Sequence, residues 1–212
     1  MNPRHHPTED ILVEHALGRL QPGRDLVVAA HVAACSSCRI KMRETEIVGG
    51  ALIETLAPET MAADALQRAL AAIDRPEPPS PSSPAPPTGW IGFSSPAVER
   101  AWRRRRWAAP GVWVAPVVRG PGAMRTYLLS VGAGMSVPRH SHRGAEMITV
   151  MTGAYDDRGA VHGPGDFACN DEVVDHKPTV TAERACVCLI CADARLIPLD
   201  WVGRLFQPIV RI

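Results

Sequence analysis

Seven prolines crowd into residues 76–87: Pro76, Pro78, Pro79, Pro81, Pro84, Pro86 and Pro87. Proline fixes φ and lacks a backbone donor, so such a stretch can be neither helix interior nor sheet interior. With mostly Ser, Ala, Glu, Thr and Gly between the prolines, residues 76–89 read as an extended, semi-rigid linker. The linker divides the 212-residue chain into segments 1–75 and 90–212, each long enough for a small domain. Residues 1–75 carry 8 Lys and Arg against 10 Asp and Glu, and the rest of the chain 15 against 12. A net charge of +1 argues against a general polyanion binder, and so against direct nucleic-acid binding as the main role. Met1–Pro7 has adjacent histidines and no apolar run, so it is not a secretory signal. No stretch of about 18 apolar residues marks a membrane span. The expected compartment is the cytoplasm. Thiols stay reduced there, so the six cysteines read as metal ligands, redox-active thiols or core residues, not as a disulfide framework.

The two segments differ in hydrophobic period. Before the linker the pattern is helical. A first helix is expected from Thr8 to Gln21, with Pro22 and Gly23 breaking it. A second is expected from Asp25 to about Cys38, a third over Ile40 to Leu56, and an Ala-rich fourth over Pro58 to Ile73. After the linker, short apolar runs are separated by Gly and Pro: Val112 to Val118, Tyr127 to Val131, Met147 to Met151 and Cys186 to Cys191. That spacing predicts many short strands closed into a sandwich or barrel. The expected fold class is α plus all-β, a small helical domain followed by a β-barrel.

His31, Cys35 and Cys38 form H-x3-C-x2-C. On a continuous helix these positions lie within roughly 60° of one another, on one face. A fourth ligand must come from elsewhere, and the adjacent His5 and His6 are both candidates. Two imidazoles and two thiolates suit a closed tetrahedral Zn²⁺ site, which would staple the N-terminal arm to the second helix. His15 has no partner at ligand spacing and reads as a surface residue.

The second constellation is Gly134-x5-His140-x-His142-x3-Glu146-x6-Gly153. In an extended segment residues of equal parity share a face, so His140, His142 and Glu146 point inward together if the strand is continuous or bends at Gly144. Pro164-Gly165-Asp166 reads as a turn entering a strand, and His176 follows. Three imidazoles and one carboxylate suit Zn, Mn, Fe or Ni, and spacing does not choose among them. His162 reads as a turn residue. Cys186 and Cys188 alternate on a strand and share a face, whereas Cys191 has opposite parity. They are either barrel-core residues or thiols open to oxidation, poorly placed for a mutual disulfide.

At these residues the chain resembles known families. Residues 110–195 look like a cupin, although Pro164-Gly165-Asp166 replaces the strict P-x-G form and no Asn follows His176 at the usual spacing. Residues 1–75 resemble the zinc-binding anti-sigma domain through His6, His31, Cys35 and Cys38, which selects His6 over His5. The two in this order resemble the ChrR-type anti-sigma factors of bacteria. The resemblance implies a helical zinc-binding domain that binds an extracytoplasmic-function-type sigma factor, one to one, and blocks its access to RNA polymerase core. It implies a cupin jelly-roll needed for the response to singlet oxygen and organic hydroperoxides, with zinc in the first site and zinc or another divalent metal in the second. It also implies a thiol pair at Cys186 and Cys188.

An inhibitor of this kind needs an apolar surface for a partner. Ile47, Val48, Leu52, Leu56, Met61, Leu66 and Leu70 supply one, unless they form a four-helix core. Gly49, Gly50 and Ala51 would allow close approach. Two rival readings come from other classes. Three His and one Glu is also a cupin-enzyme ligand set, as in dioxygenases and isomerases. Arg103, Arg104, Arg105 and Arg106 between Trp102 and Trp107 is the one run that would suit nucleic acid, against its reading as a solvated face.

Overall fold

The structure is a computed structural model that describes residues 2–75, 89–119, 124–141, 143–194 and 197–199. Most of the proline segment therefore lies outside the described residues, as does His142.

Four helices precede the proline segment: α1 (Glu9–Ala16), α2 (Pro22–Ala34), α3 (Ser36–Glu54) and α4 (Ala65–Ile73). Their boundaries differ from expectation for local reasons. Pro22 does not end a helix but opens α2 at its first position, where the missing N–H costs nothing. Gly23 is there because the helix approaches the β-sheet closely. A Cβ on it would lie 2.1 Å from Thr126 Oγ1 and 3.0 Å from Cys191 Sγ. The second helix stops at Ala34, and Cys35, in extended conformation, sits between it and α3, which starts at Ser36. The H-x3-C-x2-C motif is thus split across a helix break instead of lying on one helical face.

After the proline segment come α5 (Pro96–Arg103), which the hydrophobic pattern did not reveal, and, among the described residues, eleven strands. These are β1 (Arg106–Ala109), β2 (Val112–Arg119), β3 (Arg125–Val131), β4 (His140–Ser141), β5 (Glu146–Thr152), β6 (Tyr155–Asp157), β7 (Ala160–His162), β8 (Phe167–Asn170), β9 (Thr179–Val180), β10 (Cys186–Ala192) and β11 (Ile197–Pro198). They pair antiparallel into a six-stranded sheet of order β1-β2-β3-β10-β5-β8, a three-stranded sheet β7-β6-β9 and a β11-β4 pair.

Two cores lie on opposite faces of the six-stranded sheet. Inside the barrel Tyr127, Val131, Ile148, Tyr155, Val180, Cys186, Cys188 and Ile190 pack together. On the outer face Val187, Leu189 and Cys191 join Leu128, Met147 and Met151. They meet Ile11 and Leu12 of α1, Val27, Val28 and Ala30 of α2, and Val98 and Ala101 of α5. Strand β10 is therefore buried along its whole length, which explains its unbroken apolar run. Thr149 Oγ1 donates to Val27 O at 2.8 Å, and the Arg24 guanidinium meets both carboxylate oxygens of Asp193 at 2.7 Å. Segments 1–75 and 90–212, separate in sequence, share this outer core through α1 and α2.

The far part of the helical segment does not join in. Among its described residues α4 has no buried residue, and beyond Cys38 neither has α3. Ile47, Val48, Leu52, Leu56, Met61, Leu66 and Leu70 are all exposed, at 54–78%. They do not form a four-helix core. Nothing lies within 4 Å of a Cβ built on Gly49 or Gly50, so that face is open. Among the described residues no helix is long and apolar enough to cross a membrane.

Candidate metal centres

The first centre forms where three pieces of chain meet: the N-terminal arm, the end of α2 and the start of α3. One ligand atom from each of His6, His31, Cys35 and Cys38 lies within 4.8 Å of the others. His31 Nε2 is 3.2 Å from Cys38 Sγ, and His6 Nδ1 is 3.4 Å from Cys35 Sγ and 3.5 Å from Cys38 Sγ. Around a tetrahedral zinc with ordinary bond lengths, N and S ligands stand about 3.5 Å apart, so the four atoms are spaced for that ion.

Local chemistry sets each ligand. A carbonyl only accepts, so His31 Nδ1 donates to Gly165 O at 2.7 Å. Nε2 then carries the lone pair that faces the thiols. His31 is completely buried, and burial lowers its pKa to about 4, keeping it neutral and able to bind metal. Burial opposes ionisation of both thiols. At Cys35 the Ser37 hydroxyl, 3.0 Å away, and the amides opening α3 more than offset it, and its pKa is lowered. Cys38 is pushed up to about 11 by burial and by the Cys35 sulfur beside it.

His5 is not in the cluster. Its amide and that of Arg4 donate to Asp166 Oδ1, and its ring lies 3.3 Å from Asp166 Oδ2. His15, expected to be a lone surface residue, is half-buried and pairs with Asp25 at 2.6 Å.

The second centre lies inside the barrel, where ligand atoms of His140, Glu146 and His176 lie within 4.8 Å of one another. The strand carrying His140 is not continuous with the one carrying Glu146. It stops after Ser141, and β5 begins at Glu146. Both histidines are oriented from behind. His140 Nδ1 donates to Pro138 O at 2.7 Å, and His176 Nδ1 to Asp157 Oδ2 at 3.0 Å. Their Nε2 atoms are then both acceptors, yet they stand 3.0 Å apart. Two lone pairs held together in a buried site suit a cation placed between them. Burial lowers the His140 pKa to about 4 and raises that of Glu146 to about 7, and Asn170 Nδ2 reaches Glu146 at 3.4 Å. Residues fitting a divalent metal are thus present at both centres. Asp157 and Asp166 were missed as functional residues by sequence reasoning, because each sits in a short hairpin or turn that reads as polar punctuation.

His140, Glu146 and His176 border an apolar cavity lined also by Tyr127, Leu129, Ile148, Tyr155, Val180 and Ile190. Cys186 and Cys188 line it too, with their sulfurs 3.7 Å apart. The neighbouring Cys186 thiol and burial push the Cys188 thiol up, so it stays protonated. Cys191 faces the other way, toward α2. Cys169 is exposed. His162 ends β7, away from the ligands, stacked on Tyr155 with ring centroids 4.9 Å apart. The arginine run is exposed, with the Arg105 guanidinium over the rings of Trp102 and Trp113.

A family model described as the ChrR cupin-like domain matches residues 99–194. The chain is 32% identical over 217 residues to the anti-sigma-E factor ChrR of Cereibacter sphaeroides, covering all of both chains. It also resembles a crystal structure of Rhodobacter sphaeroides SigE in complex with the anti-sigma ChrR. There the TM-score is 0.73 at 30% identity, over 91% of this chain and 100% of that one.

Proposed function

The chain belongs to the ChrR family of anti-sigma factors, and from that premise we propose that it binds an extracytoplasmic-function-type sigma factor and keeps it from RNA polymerase core. The observation that carries this is the apolar face of α3 and α4, which nothing in the described chain covers. Leu52 on α3, Leu56 just past its end, and Leu66 and Leu70 on α4 are 54–68% exposed. A nine-residue helix is marginal alone in water, so α4 gains its stability from a partner. Partner helices seated on this face would bury the apolar row, with Gly49 and Gly50 admitting a close backbone. The complex is one to one, in the cytoplasm, and involves neither membrane nor direct DNA contact.

His6, His31, Cys35 and Cys38 hold zinc as a structural cross-link. The closed set of four protein ligands leaves no open position for substrate. His140, Glu146 and His176, with His142 as the expected fourth ligand, hold zinc or another divalent metal in the cupin. The cupin is the sensory part: its metal centre and the Cys186–Cys188 pair are where singlet oxygen or an organic hydroperoxide acts, after which the sigma factor is released. The family is one of regulators, so the cupin is read as a sensor and not as a dioxygenase or isomerase.

The test is co-expression with the sigma factor and metal analysis of the purified complex. An equimolar complex with two metals per inhibitor is expected. Leu52→Asp combined with Leu66→Asp should abolish the complex without changing metal content. An intact complex in that variant would remove the α3–α4 face from the function.

A further inference from the structure

The ligands of the first metal centre are held in place from outside the helical segment. Asp166, on the turn entering β8, is only 4% exposed and gathers four groups. Oδ1 accepts the amides of Arg4 and His5, Oδ2 accepts the amide of Gly163 at 2.7 Å, and the His5 ring lies against the carboxylate. His5 O in turn accepts the amide of Phe167 at 3.0 Å, so the arm is tied by its backbone to the start of β8. The next residue is His6, a metal ligand. One residue before Asp166, the Gly165 carbonyl fixes the tautomer of His31. Gly165 has φ +88°, and a Cβ there would stand 2.9 Å from Pro3 and 3.0 Å from Ala34, so the turn is moulded to both pieces of chain that bring these ligands.

We infer that the cupin turn 163–167 is the outer shell of the thiolate metal centre, with Asp166 as the positioning residue for the arm that delivers His6. The inference rests on reading His6, His31, Cys35 and Cys38 as a metal site. It gives the sensory half a physical hold on the inhibitory half. A second feature leads the same way. Tyr155 lines the cupin cavity, His162 stacks on it at an interplanar angle of 12°, and His5 stacks on His162 with centroids 4.2 Å apart. Two ring contacts thus link the cavity wall to the residue beside His6.

The experiment loads the full-length protein with Co²⁺. Only the centre with sulfur ligands gives a thiolate-to-cobalt absorption, so that band reports the first site even when the cupin is also occupied. Its decay is followed after adding excess chelator. Loss of an outer-shell partner weakens metal sites by about 10–100-fold, and Asp166→Leu is expected to speed decay by that order. Asp166→Asn keeps one oxygen for the arm amides and should fall between parent and Asp166→Leu. His5→Ala removes only the ring contacts that the arm makes with Asp166 and His162 and leaves every cupin residue in place, so it decides the matter if the Asp166 variants do not fold. A several-fold faster decay is expected for it, with faster hydrogen exchange over residues 2–8. Decay within about twofold of the parent in His5→Ala and in whichever Asp166 variants fold overturns the inference. A parent protein with no thiolate–cobalt band overturns the metal reading and the inference together.

Discussion

The two candidate metal centres are built on opposite plans. The inner one takes its ligands from strands and loops already fixed by a β-ladder. Its histidines are oriented by Pro138 and Asp157, and its wall is an apolar cavity. The outer one takes ligands from an arm, a helix end and a helix start, segments that no ladder fixes. A site of the first kind leaves its scaffold standing when metal leaves. A site of the second kind is part of its scaffold, so losing the ion loosens the arm and the α2–α3 junction together. The contrast makes the second cluster, but not the first, a brace for its own surroundings.

The sharpest break in the comparison is Cys38→Ser. It should remove one metal equivalent, unfold the arm and the start of α3, and abolish sigma binding, since structural zinc contributes about 10–16 kcal/mol in small domains. Metal analysis and hydrogen exchange over residues 2–40 check this. Unchanged protection there would mean that the outer centre is not a brace.

Leu189→Ala comes next. This side chain is fully buried between sheet and helices, and its truncation should cost about 2–5 kcal/mol. Far-ultraviolet and near-ultraviolet transitions should still coincide, because α1, α2 and the barrel share the core. Two separated transitions would show the halves to be independent.

For the inner centre, Asp157→Asn should weaken cupin metal binding by about 10–100-fold and leave sigma binding intact. Equilibrium metal competition and complex pull-down measure the two halves of that statement.

The smallest effect is pH dependence of the metal-free protein. His31 and His140 have pKa values near 4 when folded, against the ordinary 6.5 when unfolded. Between those values the unfolded chain binds more protons, so stability rises with pH. It should fall as pH drops from 6.5 toward 4, with a net slope of up to about one proton, because Glu146, raised to about 7 in the folded chain, takes up a proton on folding and offsets one of the two histidines. Denaturant midpoints across that range check the sign.

Much of this site was legible in the sequence because metal ligands are chemically rare and their spacing is tight. His31, Cys35, Cys38, His140, Glu146 and His176 needed little beyond residue type and period. The break at Cys35 was not legible, because a helical-wheel argument presumes the continuity it uses. Nor was the docking of α2 on the sheet. Val27 and Val28 announce an apolar face, and Val187 and Leu189 announce another, but neither pattern names its mate. Asp166 and Asp157 were hidden for a related reason. A carboxylate in a turn looks the same whether it faces water or holds a distant amide.

Strand β10 carries a genetic consequence. Its codons 186, 188 and 190 answer to the cavity, and 187, 189 and 191 answer to the helices. Neighbouring missense alleles along a single strand should therefore sort into two phenotypic classes that alternate residue by residue. One class would be deaf to the signal, and the other would have lost its grip on the inhibitory helices. A saturation screen of seven codons would read out the layering of the whole molecule.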